Sequence, residues 1–281
     1  MSCGFEYKQH KLRKELRGGR HFACENEGVS RKAFNAGLVT ACAKENVATV
    51  PVNNLLTNKL LAGLPCEDFA HLLPHLEFVT LCAGEDLRNF SENARYAFFP
   101  ESAVISQMHV LASGETTEAA IIGWEGVIGL YTIFNASQPS YWTQALVAGT
   151  ALRLRTEILK REFKRGGALQ KQLLAYTSQR LQQLSQRAIC NGCHRVDERL
   201  CNWLLLVQDR VSDDQLHLTH EQIANHLGTR RAGITNAANA LRLRGIISYN
   251  RGLIRILNRQ ALIRAACECY QTINHTLTQA A

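Results

Sequence analysis

The stretch that decides the fold runs from Leu218 to Arg231 and reads Leu-Thr-His-Glu-Gln-Ile-Ala-Asn-His-Leu-Gly-Thr-Arg-Arg. Thr219 and Gln222 have the spacing of a capping box, in which each side chain bonds the backbone amide of the other. A helix is therefore predicted to begin here. It is predicted to end at Gly228, because glycine adopts the left-handed conformation that closes a helix.

A second helix is predicted directly after this turn, with Thr229 as its N-cap and Ile234 on its buried face. A small residue at Ala224, the turn at Gly228 and a branched residue at Ile234 allow two helices to cross closely. This spacing is typical of a helix-turn-helix.

Two short apolar runs follow, at residues 246–249 and 253–256. They flank Asn250-Arg251-Gly252, which is predicted to be a three-residue hairpin loop with glycine in the left-handed position. A helix-turn-helix followed by such a hairpin predicts a winged helix.

The distribution of charge indicates what this winged helix binds. The 281-residue chain has 32 Lys and Arg against 24 Asp and Glu, a net charge of +8, and residues 229–265 contain eight arginines but no lysine or acidic residue. Such a one-sign field attracts polyanions, and arginine forms forked contacts with phosphate and guanine. A solvated helix face is the alternative, but such faces usually interleave acidic residues. The predicted DNA contacts are Thr219, His220, Thr229, Arg230, Arg231, Thr235, Asn236 and Arg251.

The rest of the chain divides into three further parts. Residues 1–50 are basic and lack apolar periodicity, so a flexible extension is expected there. All five prolines lie between residues 51 and 139. Short apolar runs with regular turns over residues 51–165 predict an antiparallel roll or barrel. The predicted fold class is α+β: an antiparallel, jelly-roll-like β-roll, a dimerisation helix over residues 166–194, and a winged helix over residues 195–281.

The helix predicted over residues 168–193 carries small and apolar side chains at alternating spacings of three and four. This pattern is typical of a seam between two parallel helices and favours a homodimer. A helix packed on its own domain is the alternative. The predicted seam consists of Leu174, Thr177, Leu181, Leu184 and Ala188.

With these elements in order, residues 53–270 resemble a Crp/Fnr-type transcription regulator, whose β-roll is of the cyclic-nucleotide-binding kind. The resemblance implies binding to double-stranded DNA at a palindromic operator, and contact with RNA polymerase if the protein is an activator. It also implies that Arg231 reads guanine while Thr219, His220 and Arg230 lie near the DNA backbone. Ala232 and Asn236 stand where well-known members of the family have Glu and Arg, so a different operator is expected.

The sensor resembles the family less closely. Members that bind cyclic AMP hold its ribose with a Gly-Glu pair and its phosphate with an Arg-Ser pair. The matching positions here are Gly126-Val127 and Trp142-Thr143. A buried phosphate without its arginine is poorly compensated, so an unidentified small-molecule effector other than cyclic AMP in the usual mode is expected. The candidate effector residues are Gly126, Val127, Gly129, Trp142 and Thr143.

The glycines at positions 123, 126 and 129 leave two interpretations open. A ligand could approach the backbone closely there, or a helix could pack tightly on the roll.

The motif Cys190-Asn191-Gly192-Cys193-His194 matches the string that attaches haem. The first residues lack the apolar core of a signal peptide, so a cytoplasmic protein with reduced thiols and no attached haem is expected. A thiol-redox or metal-responsive switch through Cys190 and Cys193 is the alternative function.

Other classes receive less support from the sequence. The N-terminal cysteines Cys3, Cys24 and Cys42 are widely spread, so no iron–sulfur cluster is expected. A cupin-like enzyme needs a cluster of His and Glu ligands, whereas His109 is alone in its predicted strand. No apolar run approaches the roughly 18 residues that span a bilayer. The sequence therefore predicts neither an enzyme, nor a metal site, nor contact with a membrane.

Overall fold

The computed structural model describes residues 56–87, 95–134, 141–211 and 215–278. The expected N-terminal extension, residues 1–50, lies outside these ranges. The described chain begins with two short helices, α1 (Lys59–Ala62) and α2 (Cys66–Leu72), and a 3-10 turn at Leu73–His75.

Six strands then form two antiparallel sheets, which confirms the predicted roll. The strand orders are β1-β6-β2 and β4-β3-β5. Phe98 of one sheet and Ile105 of the other belong to one buried apolar cluster. The strands are β1 (Glu77–Leu81), β2 (Tyr96–Pro100), β3 (Val104–Val110), β4 (Thr116–Ile122), β5 (Tyr141–Val147) and β6 (Gly149–Arg155).

Three helices follow the roll: α3 (Thr156–Arg165), α4 (Gly167–Cys193) and α5 (Val196–Gln208). Helix α4 is the predicted long helix, and its 27 residues span about 40 Å. None of the described helices is both long and apolar enough to cross a bilayer.

Helix α4 packs closely on the glycine-containing loop of the roll. A Cβ atom added at Gly126 would lie 2.1 Å from the hydroxyl of Tyr176 in α4, and one added at Gly123 would lie 2.9 Å from Cγ of Arg210, which follows α5. Gly129 has a φ of +96°, which favours glycine. Tight packing and backbone conformation therefore account for these three glycines.

The C-terminal part is a winged helix with a third sheet, ordered β7-β9-β8. Thr219 Oγ1 accepts a hydrogen bond from the Gln222 amide at 3.2 Å, and Gln222 Oε1 accepts one from the Thr219 amide at 2.9 Å. Gly228 has a φ of +56°. The predicted capping box and turn are thus confirmed. The elements are β7 (Gln215–His217), α6 (His220–Leu227), α7 (Arg231–Leu243), β8 (Ile247–Asn250), β9 (Leu253–Ile256), α8 (Arg259–Ala265) and α9 (Cys269–Thr278).

Two local predictions were wrong. The N-cap of α7 is Arg230 and not Thr229, and no side chain caps this helix. The hairpin loop has two residues and not three, because Asn250 pairs with Leu253 as the last residue of β8. Arg251 and Gly252 have φ values of +46° and +84°, as in the turn type whose twist matches that of the flanking strands.

A buried carboxylate joins the roll to the winged helix. Glu118 of β4 is 2% exposed. Its Oε1 accepts hydrogen bonds from Arg187 Nη2 of α4 at 2.7 Å and from Trp203 Nε1 of α5 at 2.9 Å. Its Oε2 accepts one from Ser106 Oγ at 2.6 Å and lies 2.8 Å from His226 Nδ1 of α6. The side chain of Glu118 thus contacts the roll, the long helix α4, and helices α5 and α6 of the winged-helix part.

Apolar packing connects the same parts. A single hydrophobic cluster contains Val104, Ile121 and Leu146 of the roll together with buried residues of α5, α6 and α7, among them Trp203 and Leu227. The domain boundaries predicted at residues 165 and 194 remain predictions, and this cluster crosses both of them.

The pKa of Glu118 reflects its partners. Burial raises the pKa of this carboxyl, but the charges of Arg187 and His226 and the hydrogen bonds from His226 and Ser106 outweigh burial and bring it to about 2. In the unfolded chain the pKa of a Glu carboxyl is about 4.3. The ionised carboxylate therefore contributes stability above about pH 4.3, and that contribution is lost as the pH falls towards about 2.

Replacing Glu118 with Gln is expected to lower the free energy of unfolding by about 3–5 kcal/mol, because Arg187 loses its buried partner. Denaturant unfolding at neutral pH measures this loss. The matched control is Glu77→Gln, which removes a partly exposed ion pair with Arg153 and is expected to cost about 0–1 kcal/mol. Equal losses in the two variants would contradict the role assigned to Glu118.

The same variant carries a pH dependence. The difference in unfolding free energy between wild type and Glu118→Gln is expected to shrink as the pH falls from about 4.3 to about 2, since Glu118 becomes protonated there. A difference that stays constant over this range would contradict the assigned pKa.

Candidate nucleic-acid interface and effector groove

The N-terminus of α7 presents two arginines to solvent. Arg230 is the exposed N-cap, and the side chain of Arg231 is 70% exposed, with Glu221 Oε2 3.9 Å from its Nε. Cations at a helix N-terminus oppose the helix dipole, which favours anions at that end. The arrangement costs stability in the free protein and is favourable once a phosphate approaches.

The wing lies beside the start of α6. A Cβ atom at Gly252 would lie 3.6 Å from the Thr219 methyl group, so the capping residue and the wing tip share one edge. Arg251 is exposed at this tip. Arg259 differs from the other arginines of residues 229–265 because it pairs with Asp209. The exposed arginines are Arg230, Arg231, Arg242, Arg244, Arg251, Arg255 and Arg264.

His220 is the most buried of the predicted DNA-contact residues. Its side chain is buried, with its ring stacked on Tyr249 of the wing at 4.0 Å. Its Nδ1 lies 3.1 Å from Thr235 Oγ1, and that hydroxyl also donates to the Arg231 carbonyl. Burial and then the charge of Arg231 lower the pKa of His220. His220 therefore connects α6, α7 and the wing.

The remaining predicted contacts lie on the same two helices and the wing. Asn236 and Thr219 are exposed, while Thr229 and Thr235 are half-buried. The structure thus brings the predicted DNA-contact residues to one region of the winged helix, with His220 beneath its surface.

A groove of about 190 Å³ lies between the roll and α4. Of the five candidate effector residues, Val127, Gly129 and Thr143 line this groove. Gly126 packs against Tyr176 instead. The groove is lined by Gln107, Ile122, Val127, Ile128, Gly129, Leu130, Tyr141, Thr143, Thr177, Arg180, Leu181 and Leu184.

Arg180 of α4 was missed by sequence reasoning, although it is the one cation among the described residues that line the groove. Its Nη1 donates to the Ile121 carbonyl at 3.3 Å and to Gln183 Oε1 at 3.1 Å. In family members that bind cyclic AMP, the phosphate-binding arginine lies on the roll. In this chain the positive charge of Arg180 comes from α4, the helix that faces the roll.

The predicted seam lies on an exposed face of α4. Leu174 and Leu181 are 47% and 65% exposed, and Ile189, which sequence reasoning missed, is 51% exposed. Ala188 is also exposed, while Thr177 and Leu184 are half-buried. An apolar stripe on a long helix is thus open to solvent in the single chain.

The Cys190–Cys193 pair receives no support from the structure. Cys193 is exposed, whereas the buried Cys190 has its sulfur 3.5 Å from Cys267 Sγ. His194 and Cys269 lie in the same cluster. Sequence reasoning missed this grouping, because more than 70 residues separate Cys190 from Cys267.

Comparisons with known proteins agree with this architecture. Residues 198–265 match the family described as the Crp-like helix-turn-helix domain. No curated protein sequence matches the chain.

Solved structures share the fold at low sequence identity. One is described as a Crp/Fnr-family regulator from Eubacterium rectale; it is 19% identical, with a TM-score of 0.59 over 73% of this chain and 96% of the other. FixK2 from Bradyrhizobium japonicum is also 19% identical, with a TM-score of 0.56 over 68% of this chain and 98% of its own. The c-di-GMP-responsive regulator CLP from Xanthomonas campestris is 13% identical, with a TM-score of 0.52 over 68% and 99%.

Residues 198–265 therefore match the Crp-like helix-turn-helix domain, and the described chain shares its fold with solved structures of the Crp/Fnr family.

Proposed function

We infer that the protein is a homodimeric, sequence-specific DNA-binding transcription regulator controlled by a small molecule. The observation that carries this inference is the arginine-bearing N-terminus of α7, exposed within a segment that matches the Crp-like helix-turn-helix domain. Because it acts on DNA, the protein is placed in the cytoplasm, with RNA polymerase as a partner if it is an activator.

In the proposed complex, the two α7 helices of a dimer enter successive major grooves about 34 Å apart, so the operator is palindromic. Arg231 reads a guanine, and Arg230, Thr219 and Arg251 contact the backbone. Thr229, Thr235 and Asn236 complete the surface. His220 acts beneath it by orienting Thr235 and the wing.

The groove between the roll and α4 is the proposed effector site. Its walls are largely apolar, with Gln107, Thr143 and Arg180 available for polar contacts. Thr177, Leu181 and Leu184 belong both to this groove and to the predicted seam. A molecule bound there would contact the dimer helix directly and could shift the population of two dimer arrangements.

Among the described residues, nothing favours the alternative of a cupin-like enzyme. Within the described ranges, the four residues that could share a metal ion lie outside the roll. His109 of β3 instead has its ring 5.5 Å from that of Tyr141.

Arg231→Ala is expected to remove about 1–3 kcal/mol of discrimination between operator and random DNA, because a forked contact to guanine is lost. The operator is first selected from random duplexes with the purified protein. Fluorescence anisotropy then compares the two DNAs. Unchanged discrimination would show that Arg231 does not read a base.

Arg251→Asn is the contrasting variant, since asparagine suits the left-handed turn but carries no charge. It is expected to weaken binding to all sequences alike and to reduce the slope of log affinity against log salt by about 1. A loss confined to the operator would contradict a backbone contact by Arg251.

Leu174→Glu is expected to dissociate the dimer. Each leucine buried in the seam contributes about 1.5–3 kcal/mol, so losing two of them weakens the dimer at least about a hundredfold. Sedimentation measures the change. The matched control is Leu111→Glu in the β3–β4 loop, because Leu111 is 49% exposed and Leu174 is 47% exposed. A dimer that survives Leu174→Glu, or one that Leu111→Glu dissociates equally, would contradict the seam.

We expect that calorimetry with the purified dimer detects no saturable binding of cyclic AMP in the micromolar range. The reason is that Trp142 and Thr143 replace the arginine and serine that hold the phosphate in family members. Saturable binding that Arg180→Gln abolishes would show that the helix supplies the missing charge and would overturn this expectation.

A further inference from the structure

Three cysteines and one histidine from distant parts of the chain meet at one point. Cys190 lies in the last turn of α4, and His194 follows the end of this helix. Cys267 lies between α8 and α9, and Cys269 is the first residue of α9. All four potential ligand atoms lie within 4.8 Å of one another.

The spacing of these atoms suits a single tetrahedral ion. For bonds of about 2.3 Å to sulfur and 2.0–2.1 Å to nitrogen, tetrahedral geometry places two sulfurs about 3.8 Å apart and a sulfur and a nitrogen about 3.6 Å apart. Cys190 Sγ lies 3.5 Å from Cys267 Sγ, and Cys269 Sγ lies 3.5 Å from His194 Nδ1. Only small movements would equalise these distances around an ion.

The surroundings of the sulfurs provide an independent indication. Asn202 is 4% exposed, and its Nδ2 is directed at Cys190 Sγ at 3.5 Å and at Cys267 Sγ at 3.4 Å. Gln186 Nε2 lies 3.0 Å from Cys269 Sγ. Each sulfur thus has an amide donor, and hydrogen bonds from such donors are stronger to an ionised acceptor.

The histidine has the partner that metal-bound histidines usually have. While Nδ1 of His194 faces the sulfurs, its Nε2 lies 3.2 Å from Glu268 Oε1. A carboxylate on the outer nitrogen fixes the ring orientation and raises the basicity of the inner nitrogen. Glu268 stands between Cys267 and Cys269, so one short segment supplies two ligands and this carboxylate.

We propose that Cys190, His194, Cys267 and Cys269 form a structural Zn²⁺ site of the Cys₃His type. On binding, the three thiols release their protons to solvent, and three thiolates and the neutral imidazole donate electron pairs to the ion. No redox change occurs. With four protein ligands the site is closed, which is typical of structural rather than catalytic zinc.

The geometry favours this assignment over its competitors. A Cys190–Cys267 disulfide would bring two sulfurs to about 2.05 Å, but it would leave Cys269, His194 and Glu268 without a role. An iron–sulfur cluster separates its ligand atoms further than a single ion does, because several irons lie between them.

The consequence of the site is mechanical. A bound ion would connect the end of the predicted dimer helix, α4, to the start of the C-terminal helix α9. Cys190 and His194 come from the end of α4, and Cys267 and Cys269 come from the start of α9. The inference goes beyond the proposed function and does not depend on it, since its test involves no DNA.

Co²⁺ titration of the full-length chain, reduced and stripped of metal with a chelator, tests the proposal. We expect one Co²⁺ per chain, with intense visible absorption of tetrahedral cobalt and a near-ultraviolet sulfur-to-cobalt charge-transfer band. Zn²⁺ should displace the cobalt and remove both signals. A folded, reduced protein that shows no charge-transfer band would overturn the proposal whatever the variants do.

Matched cysteine variants locate the site. Cys267→Ser is expected to abolish the charge-transfer band. Cys201→Ser, a buried cysteine of α5, and Cys193→Ser, an exposed cysteine of α4, are expected to retain one Co²⁺ per chain. Loss of binding in either control, or retention in a folded Cys267→Ser, would overturn the assignment.

His194→Ala provides a ligand change at a partly exposed position beyond the end of α4. It is expected to lower Zn²⁺ affinity at least tenfold in competition with a chelating dye, while circular dichroism stays unchanged. Unaltered affinity would overturn the assignment of His194. Mass spectrometry of air-exposed protein tests the redox alternative. A Cys190–Cys267 disulfide, in a protein that binds no Zn²⁺ when it is reduced, would overturn the metal site in favour of a redox-active cysteine pair.

Discussion

The structure depends on an ionised carboxylate buried away from water. Glu118 keeps its charge because four polar groups surround its two oxygens, and these groups come from the roll, the long helix and the winged helix. A lone buried charge is prohibitively costly. The carboxylate therefore forces these parts into one arrangement, and the apolar cluster around Trp203 packs where that arrangement brings its members together.

The second organising element is the long helix α4. One of its faces packs on the roll through Leu173 and Tyr176, another carries the exposed apolar stripe, and its end holds Cys190. The groove opens beside the stripe, so the proposed effector site and the proposed dimer contact share Thr177, Leu181 and Leu184. The proposed sensing and assembly functions thus meet on one helix, while the arginine-bearing surface lies on α7 and the wing.

Local sequence signals predicted the elements well. The capping box, Gly228 and the strand pattern of the roll are set by interactions over a few residues, and the structure confirms them. Thr229 was wrongly predicted as an N-cap because the propensity of threonine does not reveal where the helix starts. The hairpin loop was predicted too long, because a non-glycine residue, Arg251, occupies a left-handed position.

Contacts between distant segments could not be predicted in this way. A glutamate in a strand gives no sign that Arg187 and His226 will surround it. The grouping of Cys190 with Cys267 likewise requires α4 and α9 to pack together. The burial of His220 follows from the position of Tyr249 in the wing. In each case the pattern within either segment has an ordinary explanation, and only the tertiary arrangement gives the residue its role.

The shared core has a consequence for how such a molecule could change shape. The roll and the winged helix of one chain pack against each other through a single apolar cluster. A rotation of the winged helix about residues 194–195, between α4 and α5, would therefore expose buried side chains. In the proposed dimer, a rotation at the contact between the two protomers would avoid this cost, because the apolar cluster and the Glu118–Arg187 ion pair lie within each chain. Each protomer would then rotate as a rigid body, and the rotation would change the distance between the two α7 helices.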